Sequence, residues 1–287
     1  MSEETIRIAR TQSEVRQSIR GARAAGKRIG LVPTMGALHE GHLSLVCAAQ
    51  RTCDFVAVTI FVNPTQFSPT EDFSKYPRTI DQDLEALRGL GVDLVFMPDR
   101  EELYPDRFST YVLPPAVSAP LEGQFRPEHF RGVATIVLKL INLLPADIAF
   151  FGQKDYQQCQ VIRQMAEDLN LPVEIQICPI IREPDGLAMS SRNRYLSPDD
   201  RVRAVALSEA LGEAVRQVQA GTTDSSIVAK CMRDILQRAG VTKIDYATVV
   251  DACTLESIDR IDRPAVALIA VYVGATRLID NALLSAE

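Results

Sequence analysis

The chain has 287 residues, 46% of them apolar and 24% charged, which supplies a buried core and excludes wholesale disorder. With 31 basic against 37 acidic side chains the net charge is -6, so there is no basic footprint for nucleic acid. No apolar stretch reaches the roughly 18 residues of a membrane span, and the acidic start does not read as a targeting segment. The six cysteines are scattered without a Cys-x-x-Cys spacing and read as reduced, buried thiols, which predicts a cytoplasmic location.

The length exceeds one typical domain, so either one large α/β unit or two domains are expected. Helix and strand signals alternate from the start, as in a parallel α/β domain. Residues 13–25 read as a helix stopped at Gly26, 28–32 as a strand and 41–53 as a helix. The run Phe55-Val-Ala-Val-Thr-Ile-Phe-Val62 is nearly continuous apolar and β-branched, which predicts a strand covered on both faces and ending at Asn63-Pro64. An ordered loop over 65–78 follows. Thr79-Ile-Asp-Gln82 fits a capping box leading into Leu84, Leu87 and Leu90, and 92–97 is the next strand.

Segment 98–127 is long and irregular, a length usually kept for function or for covering an edge. Val133, Ile136, Val137, Leu140, Ile141 and Leu144 then share one face, predicting an amphipathic helix over 130–144. A strand at 147–151, a helix at 155–169 and a strand at 173–181 complete the pattern. Beyond it lies a polar loop, 182–195. Ser197 and Pro198 open a helix as cap and first helical residue, helices cover 201–219 and 224–239, and a strand covers 244–250. A hairpin of 265–273 and 276–279 closes the chain. The predicted division is a parallel α/β domain over 1–185 and a smaller α+β domain over 186–287.

Three constellations carry chemistry. Pro33-Thr-Met-Gly-Ala-Leu-His39-Glu-Gly-His42-Leu-Ser-Leu-Val46 joins a strand to a helix whose first turn bears two imidazoles, an arrangement suited to a phosphate. His39, His42 and His129 are the chain's three histidines, each beside glycine, proline or charge, and three such ligands would also suit zinc. Gly41 and the helix start favour phosphate, and the His-Glu-x-x-His spacing is lacking. At Phe151-Gly-Gln-Lys154-Asp155, Lys154 would point at an anion, Asp155 would accept from a ribose hydroxyl and Gly152 would let a ligand lie against the backbone. An ordinary capped helix with a solvated ion pair fits those residues as well. Met189-Ser190-Ser191-Arg192-Asn193-Arg194 reads either as a loop that closes over a polyphosphate or as a hydrophilic linker.

Arg126, His129 and Arg131 add cations before another helix start, and Asn63 and Gln66 offer amides for orienting hydroxyls and a carbonyl. All these donors fall near carboxyl ends of predicted strands, where open α/β sheets bind ligands. No Ser-His-Asp or Cys-His nucleophile pattern is present, so positioning and electrostatics should dominate.

Pro33 to Val46, Phe61-Val-Asn-Pro-Thr-Gln66-Phe, Tyr76-Pro-Arg-Thr79, His129-Phe-Arg-Gly-Val133, Phe151 to Gln158 and Met189-Ser-Ser-Arg-Asn193 together resemble the pantothenate synthetase (pantoate-β-alanine ligase) family. That family lies among nucleotidyltransferases with a HIGH-type motif, here His39-Glu-Gly-His42, and a KMSKS-type loop, here Met189-Ser-Ser-Arg192. The resemblance implies a Rossmann-type domain, a C-terminal lid, a homodimer, and ATP with Mg2+ as co-substrate. It also implies a reaction in which pantoate attacks ATP to give pantoyl adenylate and pyrophosphate, after which β-alanine displaces AMP. By matching position, His39, His42, Lys154, Ser190, Ser191 and Arg192 would act on the phosphates. Pro33, Met35, Gly41, Gly152, Asp155, Ile181 and Met189 would complete the ATP site, and Met35, Gln66 and Gln158 would hold pantoate. Asn63, Tyr76, Arg126 and His129 would lie on the β-alanine side, and Asp83 at a metal position. Three rivals differ in outcome: a nucleotidyltransferase that keeps the nucleotidyl group in its product, a zinc hydrolase, and a silent nucleotide-binding protein.

Overall fold

Two sheets of opposite kind organise the chain in a computed structural model, which describes residues 6–68, 73 and 76–284. In chain order the elements are β1 (Arg7–Ala9), α1 (Gln12–Ala24), β2 (Ile29–Thr34), α2 (Glu40–Gln50), β3 (Phe55–Ile60), α3 (Ile80–Gly89), β4 (Leu94–Phe96), α4 (Arg100–Leu103), α5 (Glu122–Phe125), α6 (His129–Leu143), β5 (Ile148–Gly152), α7 (Tyr156–Asp168) and β6 (Glu174–Cys178). Then follow α8 (Pro198–Ala204), α9 (Ala206–Gln219), α10 (Ser225–Arg238), β7 (Lys243–Asp251), β8 (Ala265–Val273) and β9 (Thr276–Leu284). Met1–Ser118, Arg126–Gln153 and Gln158–Pro179 form one compact unit; Ala119–Phe125, Lys154–Gln157 and Ile180–Glu287 form the other.

The first unit carries a parallel six-stranded sheet in the order β1-β4-β3-β2-β5-β6. Strand alternation explains its two-sided core. Leu31, Ala57 and Phe96 face one cluster with Val133, Val137 and Ile141 of α6. Their neighbours Val32, Val58 and Val95 face the other, with Val46 and Ala49 of α2 and Leu84 and Leu87 of α3. The order runs outward from β2 in both directions, so it reverses between β2 and β5. Ligands of open α/β sheets bind beyond the carboxyl ends of strands at such a point.

The second unit is an antiparallel sheet, β7-β8-β9, with Leu207 and Leu211 of α9 and Met232 and Leu236 of α10 sharing a core with Ile269, Val271 and Leu278. Gly274, at φ +57, makes the β8–β9 turn. A buried ion cluster ties α5 to this sheet. Arg277 of β9 places two nitrogens on the Glu122 carboxylate at 2.7 and 2.8 Å and its Nε on Asp245 at 2.8 Å, while the Tyr246 hydroxyl donates to Glu122 at 2.8 Å.

Several elements depart from the sequence-based expectation. β1 was not foreseen, and the strand expected over 173–181 ends at Cys178, before Pro179 removes a ladder donor. The helix expected over 201–219 is broken at Val205 into α8 and α9. Ser197 caps α8 by accepting from the Asp200 N–H at 3.1 Å, as its sequence suggests. Thr79 makes no cap; its hydroxyl donates to Asp83 at 3.0 Å. β9 runs past Ile279 to Leu284. Of the loop expected over 65–78, positions 69–72, 74 and 75 lie outside the described residues. Among the described residues no helix is long and apolar enough to cross a membrane.

Candidate active site

The turn leaving β2 is built from backbone that most residues avoid. Gly36 has φ +82 and Ala37 has φ +51 with its side chain fully buried. An L-residue held there carries a cost of about 1–2 kcal/mol, so something must hold it. Asp83 of α3, 2% exposed, accepts from the Ala37 and Leu38 N–H groups at 2.9 Å each and from the Thr79 hydroxyl at 3.0 Å. The structure gives Asp83 a task besides the metal position expected of it: Oδ2 holds the Ala37 N–H, and Oδ1 holds the Leu38 N–H and the Thr79 hydroxyl. Among the described residues no group of three or more His, Cys, Asp or Glu side chains stands where it could hold a metal ion.

The turn delivers His39 as the N-cap of α2, with φ -142. Its Nδ1 accepts from the Gly41 N–H at 3.2 Å, and the Nδ1 of His42 accepts from the His39 N–H at 3.3 Å. A nitrogen that accepts carries no proton, so in each ring the proton sits on Nε2. The two rings stack at 4.1 Å between centroids. A pair of Nε2–H donors at the positive end of a helix is an anion-binding set. Pro33 lies in β2, Met35 in the turn, and Gly41 in the first turn of α2.

Beside it, Asn63 organises a neutral network. It is 1% exposed, donates to Gln66 Oε1 at 3.0 Å and to the Gly132 carbonyl at 3.1 Å, and accepts from the Tyr104 and Thr65 hydroxyls at 2.9 and 3.0 Å. Two donors and two lone pairs are all an asparagine has, so its capacity is used. Burial pushes the Tyr104 hydroxyl up to about 12, keeping it a donor. With Oε1 of Gln66 accepting, its Nε2 donates to Met35 Sδ at 3.1 Å. His129 is fixed from both sides: Nδ1 donates to the Gln66 carbonyl at 3.0 Å and Nε2 accepts from Arg126 at 3.3 Å. Gly132 permits this, because a Cβ there would lie 2.4 Å from the Thr65 carbonyl oxygen and 2.6 Å from Gln66 backbone. Tyr76 is buried edge-on against Phe67, with centroids 5.9 Å apart. Gln158 is half-buried on α7, and a Cβ on Gly152 would meet open space at the end of β5.

In the second unit, Lys154 Nζ stands 3.6 Å from the Asp155 carboxylate. Met189 donates to the Ile181 carbonyl at 3.0 Å and Arg182 bridges Ala188, so 181–189 is a small hairpin with Gly186 at φ +93. It leads into a 3₁₀ turn, Ser191–Tyr195, capped by Ser190, whose Oγ accepts from the Arg192 N–H at 3.3 Å. Asn193 donates to Glu183 at 2.6 Å and to the Ala188 carbonyl at 3.0 Å. Arg201, with help from Asn193, holds the Glu183 carboxyl below the usual range. Ser191 is buried, while Ser190 and Arg192 are half-buried. Sequence reasoning missed Tyr104, Gly132, Arg182, Asp280 and Asn281. Only Gly132 gave a signal, a glycine inside a well-patterned amphipathic helix.

A parallel sheet whose order reverses between β2 and β5, with an imidazole-bearing helix start after β2, defines an α/β protein of Rossmann type. Over residues 7–283 the chain matches the family model described as Pantoate-beta-alanine ligase, and it belongs to that family of amide-forming ligases. It is 51% identical over 282 residues to pantothenate synthetase 1 of Bradyrhizobium diazoefficiens, covering 98% of this chain and 99% of that one. The crystal structure of pantothenate synthetase from Thermus thermophilus is similar at TM-score 0.91 and 41% identity, over 96% of this chain and 99% of that one. The pantoate-beta-alanine ligase of Francisella tularensis, complexed with beta-gamma ATP and beta-alanine, is similar at TM-score 0.80 and 35% identity, over 97% of both chains.

Proposed function

We propose that the chain condenses pantoate with β-alanine to pantothenate at the expense of ATP. The observation that carries this reading, beyond family membership, is the pair of Nδ1 atoms committed to backbone N–H groups, which leaves His39 and His42 as Nε2–H donors at a helix start. Pantoate's carboxylate attacks the α-phosphorus, the bond to the β-phosphate breaks and pyrophosphate leaves. The β-alanine amine then attacks the acyl carbon of pantoyl adenylate, and AMP leaves.

His39, His42, Lys154, Ser190, Ser191 and Arg192 supply donors to the phosphates, where charge develops in the transition state. Gly152 and Asp155 take the ribose and the main chain at Ile181 and Met189 the base, with Pro33 and Gly41 beside the phosphates. Gln66 Nε2, Gln158 and the Met35 backbone orient pantoate. Arg126 and His129 lie on the β-alanine side, and the saturated Asn63 and packed Tyr76 support them from behind. Mg2+ arrives as part of the ATP substrate, on phosphate oxygens, as this ion commonly does. The C-terminal unit serves as a lid that keeps water from the adenylate. Six free thiols support a cytoplasmic location, and a homodimer is the proposed assembly.

Pantoate with Mg-ATP is expected to release pyrophosphate and retain an adenylate, and adding β-alanine to release AMP and pantothenate. Absence of AMP with all three substrates present, followed by chromatography, overturns the reading.

A further inference from the structure

Asp280 and Asn281 are each 2% exposed in the middle of β9, where a strand of this kind would ordinarily carry apolar side chains. Buried polar groups are expensive unless bonded, and the partners of these two are informative. Successive side chains of a strand point to opposite faces. Asp280 lies on the face that carries Leu278 and Leu284 into the core, and it takes the Arg182 guanidinium at 2.7 and 3.1 Å. Arg182 also donates to the Gly186 carbonyl at 3.0 Å, closing the hairpin that runs into Ser190, Ser191 and Arg192. Asn281 faces the other way and donates its Nδ2 to the main-chain carbonyl of Lys154 at 3.0 Å. The Asn281 N–H donates to Asp280 at 2.8 Å, locking the two residues together.

Lys154 and the Ser190–Arg192 turn, distant in sequence, thus hang from consecutive residues of one strand. We propose that Asp280 and Asn281 are positioning residues for the phosphate chemistry: Asn281 fixes the main chain of Lys154, and Asp280, through Arg182, fixes the hairpin. β9 then sets the spacing between the ammonium and the hydroxyl-guanidinium turn. The inference rests on the assignment of both elements to ATP. Misplacing a reacting or charge-stabilising group by about 1 Å costs on the order of 100-fold in rate, which is what such tethering prevents.

The test is a double-substitution cycle on the full chain. Asn281→Ala, and Asn281→Leu, which fills the same volume without the donor, are measured alone and on a Lys154→Ala background. The readouts are pyrophosphate formation from pantoate and ATP, amide formation from supplied pantoyl adenylate and β-alanine, and the thermal midpoint. Either Asn281 variant is expected to slow pyrophosphate formation by about 10- to 100-fold, to leave amide formation within about twofold, and to add nothing to the Lys154→Ala defect. Asp280→Asn is expected to show the same bias between half-reactions. Equal losses in both half-reactions that track the folded fraction, or losses that multiply in the cycle, overturn the positioning role. A crippled Lys154→Ala enzyme beside silent Asn281 variants overturns that role alone, whereas a fully active Lys154→Ala enzyme overturns the phosphate assignment of Lys154 as well.

Discussion

The two units hold their functional groups by different physics. In the first, His39, His42, Asn63 and Gln66 are joined by bonds among neutral groups and backbone, several of them buried, and the charges of Asp83 and Arg126 are spent on the turn and on His129 respectively. In the second, Lys154 pairs with Asp155, Arg182 with Asp280, and Arg201 with Glu183 and Asp185, on surfaces open enough for salt to reach most of them. Fixed neutral dipoles in a dry setting need no rearrangement when charge develops, whereas half-exposed ion pairs are screened and individually weak. The first unit is therefore preorganised, and the second holds an adjustable set of charges anchored at depth by Asp280 of β9.

Gly132→Ala attacks the neutral network most directly. The new methyl would meet Thr65 backbone at 2.4 Å, so α6 or the Pro64–Gln66 turn must move. A loss of about 3 kcal/mol in stability and a rise of roughly tenfold in the KM for pantoate are expected, read by denaturant unfolding and steady-state kinetics. Unchanged values would mean that the close approach is not what places Gln66. Asp83→Asn is milder. It turns one acceptor into a donor facing an N–H, and about 1–3 kcal/mol of stability should be lost. Activity should fall and stay low as Mg2+ is raised; recovery with Mg2+ would restore the metal role.

The smallest effect tests a charge in the second unit that has no part in the proposed chemistry. The Thr254 N–H, the Cys253 N–H and Arg263 hold the Asp251 carboxyl down at about 2, against an ordinary 3.8. A group depressed on folding stabilises fully above its unfolded value and loses that contribution as pH falls through its folded one. The thermal-midpoint advantage of the native chain over Asp251→Asn should therefore persist at pH 5 and vanish near pH 2. An advantage independent of pH would show that the carboxylate charge is not its source.

Much of the fold was legible because the responsible contacts are local or periodic. β3 announced itself by continuous apolar β-branched residues and α6 by its spacing, and the His39 turn is contiguous in sequence. What escaped depends on distant partners. β1 has three residues, too few to show alternation. Glu122 looked like part of an irregular stretch because its partner Arg277 is 155 residues away. β9 was expected to stop at Ile279 because Asp280 and Asn281 break the apolar pattern, and these polar residues are the ones the structure buries against Arg182 and Lys154. Local rules failed where a strand position had been given to another task. Asp83 was placed at a metal position through the family resemblance, and only the left-handed turn at Gly36 and Ala37 reveals what its carboxylate holds.

The Glu122–Arg277 pair has a consequence for how the protein is made. Synthesis proceeds from the N-terminus, and domains tend to fold as their last element emerges. Glu122 must wait 155 residues for the guanidinium that neutralises it, so the second unit cannot close until β9 has left the ribosome. A fragment cut at Ile180 would lack both Ala119–Phe125 and Lys154–Gln157 and would leave Arg277 with Asp245 alone of its two carboxylates. Such a piece would carry the whole antiparallel sheet and still not be the unit that the sheet belongs to.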